Sequence, residues 1–223
     1  MTLLGIDTST PASAACVLHD DGSAVEVEPA PERLREGPAH ARELMPAVAD
    51  VMQRAGVEFG DLEAIAVGVG PGTFTGLRIG IATARALASA SGLPLRPVSS
   101  LAALAEGMRE RAEERPLLPL IDARRGELFA ALYDRDGKRL WGPLVAPPEE
   151  VGERGRGARA AGDGSIRFRG VLEAAGIGVD ADESRSHVVR ALHVCRLAQT
   201  VTDQPPEAVR PDYLRTPDAK PSS

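Results

Sequence analysis

The residues best suited to chemistry lie in three short stretches. Asp7, followed at once by Thr8 and Ser9, offers a carboxylate and two hydroxyls at the end of an apolar run. That set can be pointed at a phosphate or its Mg²⁺ from a strand end, or can close an Asx-type turn bonded only to its own backbone. Gly68-Val69-Gly70-Pro71-Gly72 places glycine at alternate positions but has neither the GK[ST] ending of a P-loop nor the GxGxxG spacing. Such glycines allow close backbone approach, and Thr73 or Thr75 can cap the helix that follows, leaving amide donors to face an anion. Asp7, Thr8, Gly70, Gly72 and Thr73 are therefore the candidate anion-binding residues, with a rigid strand-to-helix corner as the structural alternative. Asp122-Ala123-Arg124-Arg125-Gly126-Glu127 joins two cations to two anions, which suits either a ligand's acidic group or a salt-bridged turn. Gly162-Asp163-Gly164-Ser165 carries the same ambiguity.

Other chemistry lacks its residues. His40 is followed four positions on by Leu44, so the i, i+4 histidine pair that grips a metal on one helix face is missing. His187 and His193 are six apart and face different directions, and His19 sits at a turn. No GxSxG elbow is present. Cys16 and Cys195 have no CxxC context and read as small core residues in a reducing compartment. No catalytic residue, metal or cofactor is expected.

Stepping outward to the whole chain, 223 residues with 43% hydrophobic and 26% charged residues describe an ordinary globular protein with a sizeable core. The net charge of −6 attracts no polyanion through its overall field, and 3% aromatics leave few platforms for stacking bases. The N-terminus has no basic, apolar leader and no window reaches a membrane span, so a cytoplasmic protein without membrane contact is expected.

The elements that must hold the candidate residues follow from periodicity. Leu3 to Asp7, Ala14 to Leu18 and Ala24 to Val27 read as three antiparallel strands joined by turns. His40 to Ala55 reads as a helix with Leu44, Val48, Val51 and Ala55 on one stripe and Met45, Ala49 and Met52 on a second. Ala64 to Val69 is a strand, the glycine loop follows, and a small-sided helix runs from about Leu77 to Ser91. On it Leu77, Ile81, Ala84 and Ala88 suit a sheet, whereas Arg78, Ala82, Arg85 and Ser89 suit water or a partner. Strands at 95–98 and 117–121 flank a helix capped by Ser99 or Ser100; strands at 127–133 and 140–145 follow, then helices near 149, 168–175 and 188–200. Together the two early helices carry more apolar surface than one sheet face can cover, which implies a protein partner. The partner face is expected to draw on His40, Leu44, Met45, Ala49 and Met52 of the first helix and Arg78, Ala82, Arg85 and Ser89 of the second. The expected division is an N-terminal lobe at 1–99 carrying these helices, a C-terminal lobe at 100–215, and a flexible tail at 216–223.

Taken in order, Gly5-Ile6-Asp7-Thr8-Ser9, His40 with Leu44-Met45-Pro46, the block from Gly70 to Gly80, Val98-Ser99-Ser100-Leu101, Asp122 to Glu127, Gly162-Asp163-Gly164 and Pro211-Asp212-Tyr213-Leu214-Arg215 resemble the TsaB (YeaZ) family across nearly the whole chain. The resemblance implies an α/β, actin-like ASKHA (ribonuclease H-like) fold with two lobes. It implies a non-catalytic scaffold in the installation of N6-threonylcarbamoyladenosine at position 37 of tRNA, binding and activating a TsaD-like transferase through the two helices. A TsaE-like ATPase docks near that interface in the family, and tRNA is met indirectly through the complex. TsaD carries a metal-binding HxxxH, where this chain reads His40-Ala41-Arg42-Glu43-Leu44. A homodimer in isolation is compatible with the uncovered helices. The alternative functions are an ASKHA-type phosphotransferase or ATPase using Asp7 and the 70–76 loop and, least favoured, a peptidase of the M22 type.

Overall fold

The computed structural model describes residues 1–110 and 114–215; the expected flexible tail at 216–223 lies outside them. Ten strands form two five-stranded sheets. The first contains β1 (Leu3–Asp7), β2 (Ala14–Leu18), β3 (Ala24–Val27), β4 (Ala64–Gly70) and β5 (Leu95–Ser99), in the order β3-β2-β1-β4-β5. The second contains β6 (Leu117–Arg124), β7 (Glu127–Tyr133), β8 (Arg139–Ala146), β9 (Arg159–Ala161) and β10 (Gly178–Val179), in the order β10-β9-β6-β7-β8. Each sheet opens with an antiparallel three-strand meander and adds two parallel strands to the far side of its first strand. The two lobes thus share one topology, although no repeat is visible residue by residue. This is the two-lobed α/β fold of the ASKHA group.

Strand alternation sorts the side chains into layers. Leu4, Ile6, Ala15, Val17, Ile65 and Val67 point to one face of the first sheet, where α1 (His40–Ala55) and α2 (Phe74–Ser91) cover them with Leu44, Val48, Val51, Ile81, Ala84 and Ala88. Leu3, Cys16, Leu18 and Ala66 point to the other face, toward α3 (Ser100–Met108) and α7 (Ala191–Ala198). The inner face of the second sheet, with Ile121, Phe129 and Tyr133, closes on α3, which packs in turn against α7. Its outer face, with Leu118, Leu120, Leu128 and Ala130, is covered by α4 (Pro148–Arg154) and α6 (Arg169–Ala174), and the short α5 (Asp163–Arg167) follows β9. The order of layers is therefore α1/α2, first sheet, α3/α7, second sheet, α4/α6. The helix pair α1/α2 is an outermost layer, with one side on the sheet and the other side outward.

Local chemistry sets the boundaries. Helices α1 and α2 end where Gly56 and Gly92 take left-handed conformations, φ 66° and 67°. Ser99 caps α3 by accepting from the Ala102 amide at 3.4 Å. Helix α2 starts at Phe74, earlier than its apolar stripe indicated, and Thr73 stands at its N-cap without a side-chain cap bond, so the expected capping by Thr73 is corrected. α7 lies directly over β1, where a methyl group on Gly5 would come within 2.4 Å of Cys195 Sγ. Although it follows the second sheet in sequence, α7 packs on the first.

Candidate functional site

The candidate anion residues form a sealed corner. Residues Asp7 to Thr10 are all buried. Asp7 Oδ1 accepts from the Ser9 amide at 2.8 Å and the Ser9 hydroxyl at 2.6 Å, while Oδ2 accepts from Ser100 Oγ at 2.9 Å. Burial pushes its carboxyl above the usual range, and these three bonds oppose that shift. Thr8 Oγ1 donates to the Gly76 carbonyl at 2.7 Å, and the Thr73 amide donates to the Ser9 carbonyl at 2.8 Å. The glycines exist for this contact: an added methyl would meet Asp7 Oδ2 at 1.8 Å from Gly68, Ser9 O at 2.5 Å from Gly72, and Thr8 O at 2.0 Å from Gly76. Gly70 holds φ 111° at the end of β4, a conformation that favours glycine. The 7–10 turn and the 70–76 loop therefore fill each other's space, with both Asp7 oxygens already engaged.

The space between the lobes is also occupied. Leu34, from a single 3₁₀ turn at Pro31–Arg35, is 8% exposed and packs with Ala12, Val188 and Ile166. Beside it lies a cavity of 240 Å³ lined by Leu34, Asp122, Arg124, Asp163, Ile166 and Arg167. Asp122 Oδ2 accepts from Arg124 at 3.0 Å and Arg167 at 2.8 Å, and the Asp122 amide donates to Asp163 Oδ1 at 3.1 Å. Arg124 and Arg125 both sit at positive φ, 64° and 54°, in the β6–β7 turn. Of the two readings offered by Asp122 to Glu127, these contacts match the salt-bridged turn.

Two serine–histidine contacts arise that no sequence spacing revealed. Ser13 Oγ lies 2.8 Å from His40 Nδ1, and Ser165 Oγ lies 3.3 Å from His187 Nδ1. Ser165 Oγ donates to the Gly162 carbonyl at 2.8 Å, and the Gly162 amide donates to His187 Nδ1 at 3.0 Å, so the backbone of Gly162 engages both side chains. His40 Nε2 is buried with no partner, and His187 Nε2 faces the carbonyls of Asp180 and Ala181 at 3.2 and 3.0 Å. Burial lowers the affinity of both rings for a proton. Among the described residues, no group of three or more His, Cys, Asp or Glu could hold a metal ion.

The two-helix face divides the expected partner residues. Leu44, Met52 and His40 are buried at 1%, 8% and 3%, so the chain's own packing uses them. Met45 and Ala49 on α1, and Arg78, Ala82 and Ser89 on α2, are exposed; Arg85 is half-buried. The exposed stripe of α2 begins one turn earlier than expected, at Phe74. The Phe74 ring stacks on Tyr213 with centroids 5.3 Å apart, and the Arg78 guanidinium lies 3.8 Å above the Phe74 centroid. Arg78 Nε donates to the Tyr213 hydroxyl at 3.1 Å. The segment bearing Tyr213 is fixed by the Asp212 amide donating to the Val69 carbonyl at 2.7 Å and by Arg215 donating to the Ala123 carbonyl at 3.2 Å. Phe74 and Tyr213 escaped sequence reading because they meet only through the fold.

A family model described as "TsaD: tRNA N6-adenosine threonylcarbamoyltransferase" matches residues 33–182. A solved structure, YeaZ from Pseudomonas aeruginosa, superposes with a TM-score of 0.79 at 30% identity, covering 95% of this chain and 100% of that one. The chain belongs to the TsaB/YeaZ family. The tRNA threonylcarbamoyladenosine biosynthesis protein TsaB of Escherichia coli is 36% identical over 158 residues, 69% of this chain and 66% of that protein. An uncharacterized Mycobacterium tuberculosis protein is 36% identical over 220 residues, 99% of this chain and 94% of its own length. Against the first curated relatives the matched region spans 66%, 40% and 56% of their lengths. No described helix is long and apolar enough to cross a membrane.

Proposed function

We propose that this TsaB/YeaZ chain takes part in tRNA threonylcarbamoyladenosine biosynthesis as a non-catalytic scaffold, binding and activating a TsaD-like threonylcarbamoyltransferase through the outer side of α1 and α2. The observation that carries the reading is the contrast between its two candidate surfaces. The Asp7 corner is filled by its own turn and loop, whereas the outer helix layer exposes Met45, Ala49, Phe74, Ala82 and Ser89. Small side chains there let a second helix approach closely. In this reading an N-terminal lobe at 1–99 carries the docking helices, a C-terminal lobe at 100–215 supports it, and the working protein is cytoplasmic. A TsaE-like ATPase joins a larger assembly, and tRNA is engaged through the complex rather than by this chain alone.

The matching experiment mixes the purified chain with the TsaD-like subunit of the same organism and follows complex formation by size exclusion and modification of tRNA by mass spectrometry. A complex that is required for modification is the expected result. Absence of a complex, or modification by the transferase alone at the full rate, overturns the reading. Ala82→Glu inserts a charge into the packed face and should weaken the complex by about 2 kcal/mol or more. The phosphotransferase alternative requires the chain alone to bind Mg-ATP; calorimetry with no heat of binding is the result expected here.

A further inference from the structure

Three of the five large hydrophobics that stand exposed among the described residues, Met45, Phe74 and Tyr213, lie on α1, on α2 or on the segment crossing α2. The chain has seven aromatic residues in all, and two of them are stacked on this surface. Arg78 bridges the two rings, its Cζ 3.8 Å from the Phe74 centroid and its Nε donating to the Tyr213 hydroxyl. Its two Nη groups make no hydrogen bond and no ion pair among the described residues, and Arg42 and Arg85 likewise have no carboxylate partner. Helix α2 contains no acidic residue, in a chain whose net charge is −6. A guanidinium whose orientation is fixed before binding offers a forked pair of donors at low entropic cost, the geometry that fits a carboxylate.

Resting on the function proposed above, we propose that Phe74, Arg78 and Tyr213 form a pre-organised anchor at one end of the docking face, and that it seats an acidic side chain on a helix of the TsaD-like subunit. The stripe 74, 78, 82, 85, 89 runs along one side of α2, so the anchor is continuous with Ala82, whose small side chain leaves room for a helix to approach closely. Aromatic and arginine anchors surrounded by small residues are the pattern of binding hot spots. The same stripe suits a helix better than RNA: beyond Arg78 it continues as Ala82, Arg85 and Ser89, without further rings on which successive bases would stack. Tyr213 also brings the C-terminal segment into the interface, a contribution that the two helices alone do not make.

Calorimetric titration of the full chain into the TsaD-like subunit, at low and high salt, tests the anchor. Arg78→Lys keeps the charge but loses the fork, Tyr213→Ala removes the stack and the tether, and Ala82→Glu tests the face independently. Each anchor variant should retain the parent's thermal unfolding, since these side chains are exposed, and bind about thirtyfold more weakly. Arg78→Glu should lose more than Arg78→Lys, with a reduced salt dependence. If the parent chain does not bind, the functional reading itself fails. If the parent binds and Ala82→Glu weakens the complex while Arg78→Lys and Tyr213→Ala bind like the parent, the face stands and the anchor is overturned. Loss of tRNA binding with an unchanged protein complex would make the cluster an RNA contact, and loss of self-association alone would make it a contact between copies of this chain; either result overturns the proposal.

Discussion

Single residues account for the closed corner at Asp7. Gly68 lies so near Asp7 Oδ2 that a methyl group has no room, and the obstacle is a carboxylate held by three hydrogen bonds rather than a free side-chain end. Gly68→Ala should therefore lower stability by about 1–3 kcal/mol, measured by urea denaturation, the usual cost of overpacking. Asp163 gives a second residue-level prediction. Burial pushes its carboxyl from 3.8 up to about 6, helped by the nearby Asp122 carboxylate. The folded state then holds a proton that the unfolded state has released, so this group's contribution falls as pH rises from 3.8 to about 6 and levels off above that. Its full cost is roughly 3 kcal/mol. The buried rings of His40, His187 and His193, whose pKa values are lowered, act with the opposite sign, since protonation in the unfolded state favours unfolding at low pH. The difference between the stability curves of the parent and Asp163→Asn isolates the carboxyl; it should grow through this window and flatten above it.

At the scale of elements, α1 turns one side to the sheet and the other outward. Leu44→Ala should destabilise the fold by about 2–5 kcal/mol in chemical denaturation, because Leu44 is buried against the sheet. Met45→Ala, one residue along and 47% exposed, should leave stability within about 0.5 kcal/mol and reduce binding to the TsaD-like subunit instead. This pair also marks how far the sequence could be read. The bounds of α1 and the first three strands are legible because the apolar spacing is regular and glycine or turn residues end each run. The periodicity could not say which of two apolar stripes faces inward, so Leu44 and Met52 joined the expected partner face although the sheet takes them. β9 and β10 are missed because three and two residues within Gly- and Arg-rich stretches carry no alternation; they become strands only by pairing with β6 and each other. Phe74 with Tyr213, and Ser13 with His40, are 139 and 27 positions apart and share no local signal.

For the whole molecule, the shared topology of the two sheets and the return of α7 to the first explain why the lobes form one body. Leu192, Val194 and Cys195 complete the central core that includes Leu3 and Cys16 on one side and Ile121 and Phe129 on the other. A chain ending at Val189 should therefore lose its sharp thermal transition and most of its amide protection, in circular dichroism and hydrogen exchange, rather than keep a folded first lobe. The same central layer accommodates the two free, buried cysteines as packing residues, and the hydrogen bond with the neighbouring Cys16 thiol, together with burial, raises the Cys195 thiol pKa well above its ordinary value.

Leu34 has a mechanical consequence. Actin-like architectures can work as jaws, closing on what lies between them; here a leucine side chain already sits in the bite, braced by Ala12 from below and by Ile166 and Val188 from the opposite half. The protein should accordingly scatter X-rays as a shape of one fixed gape whether or not nucleotide is added.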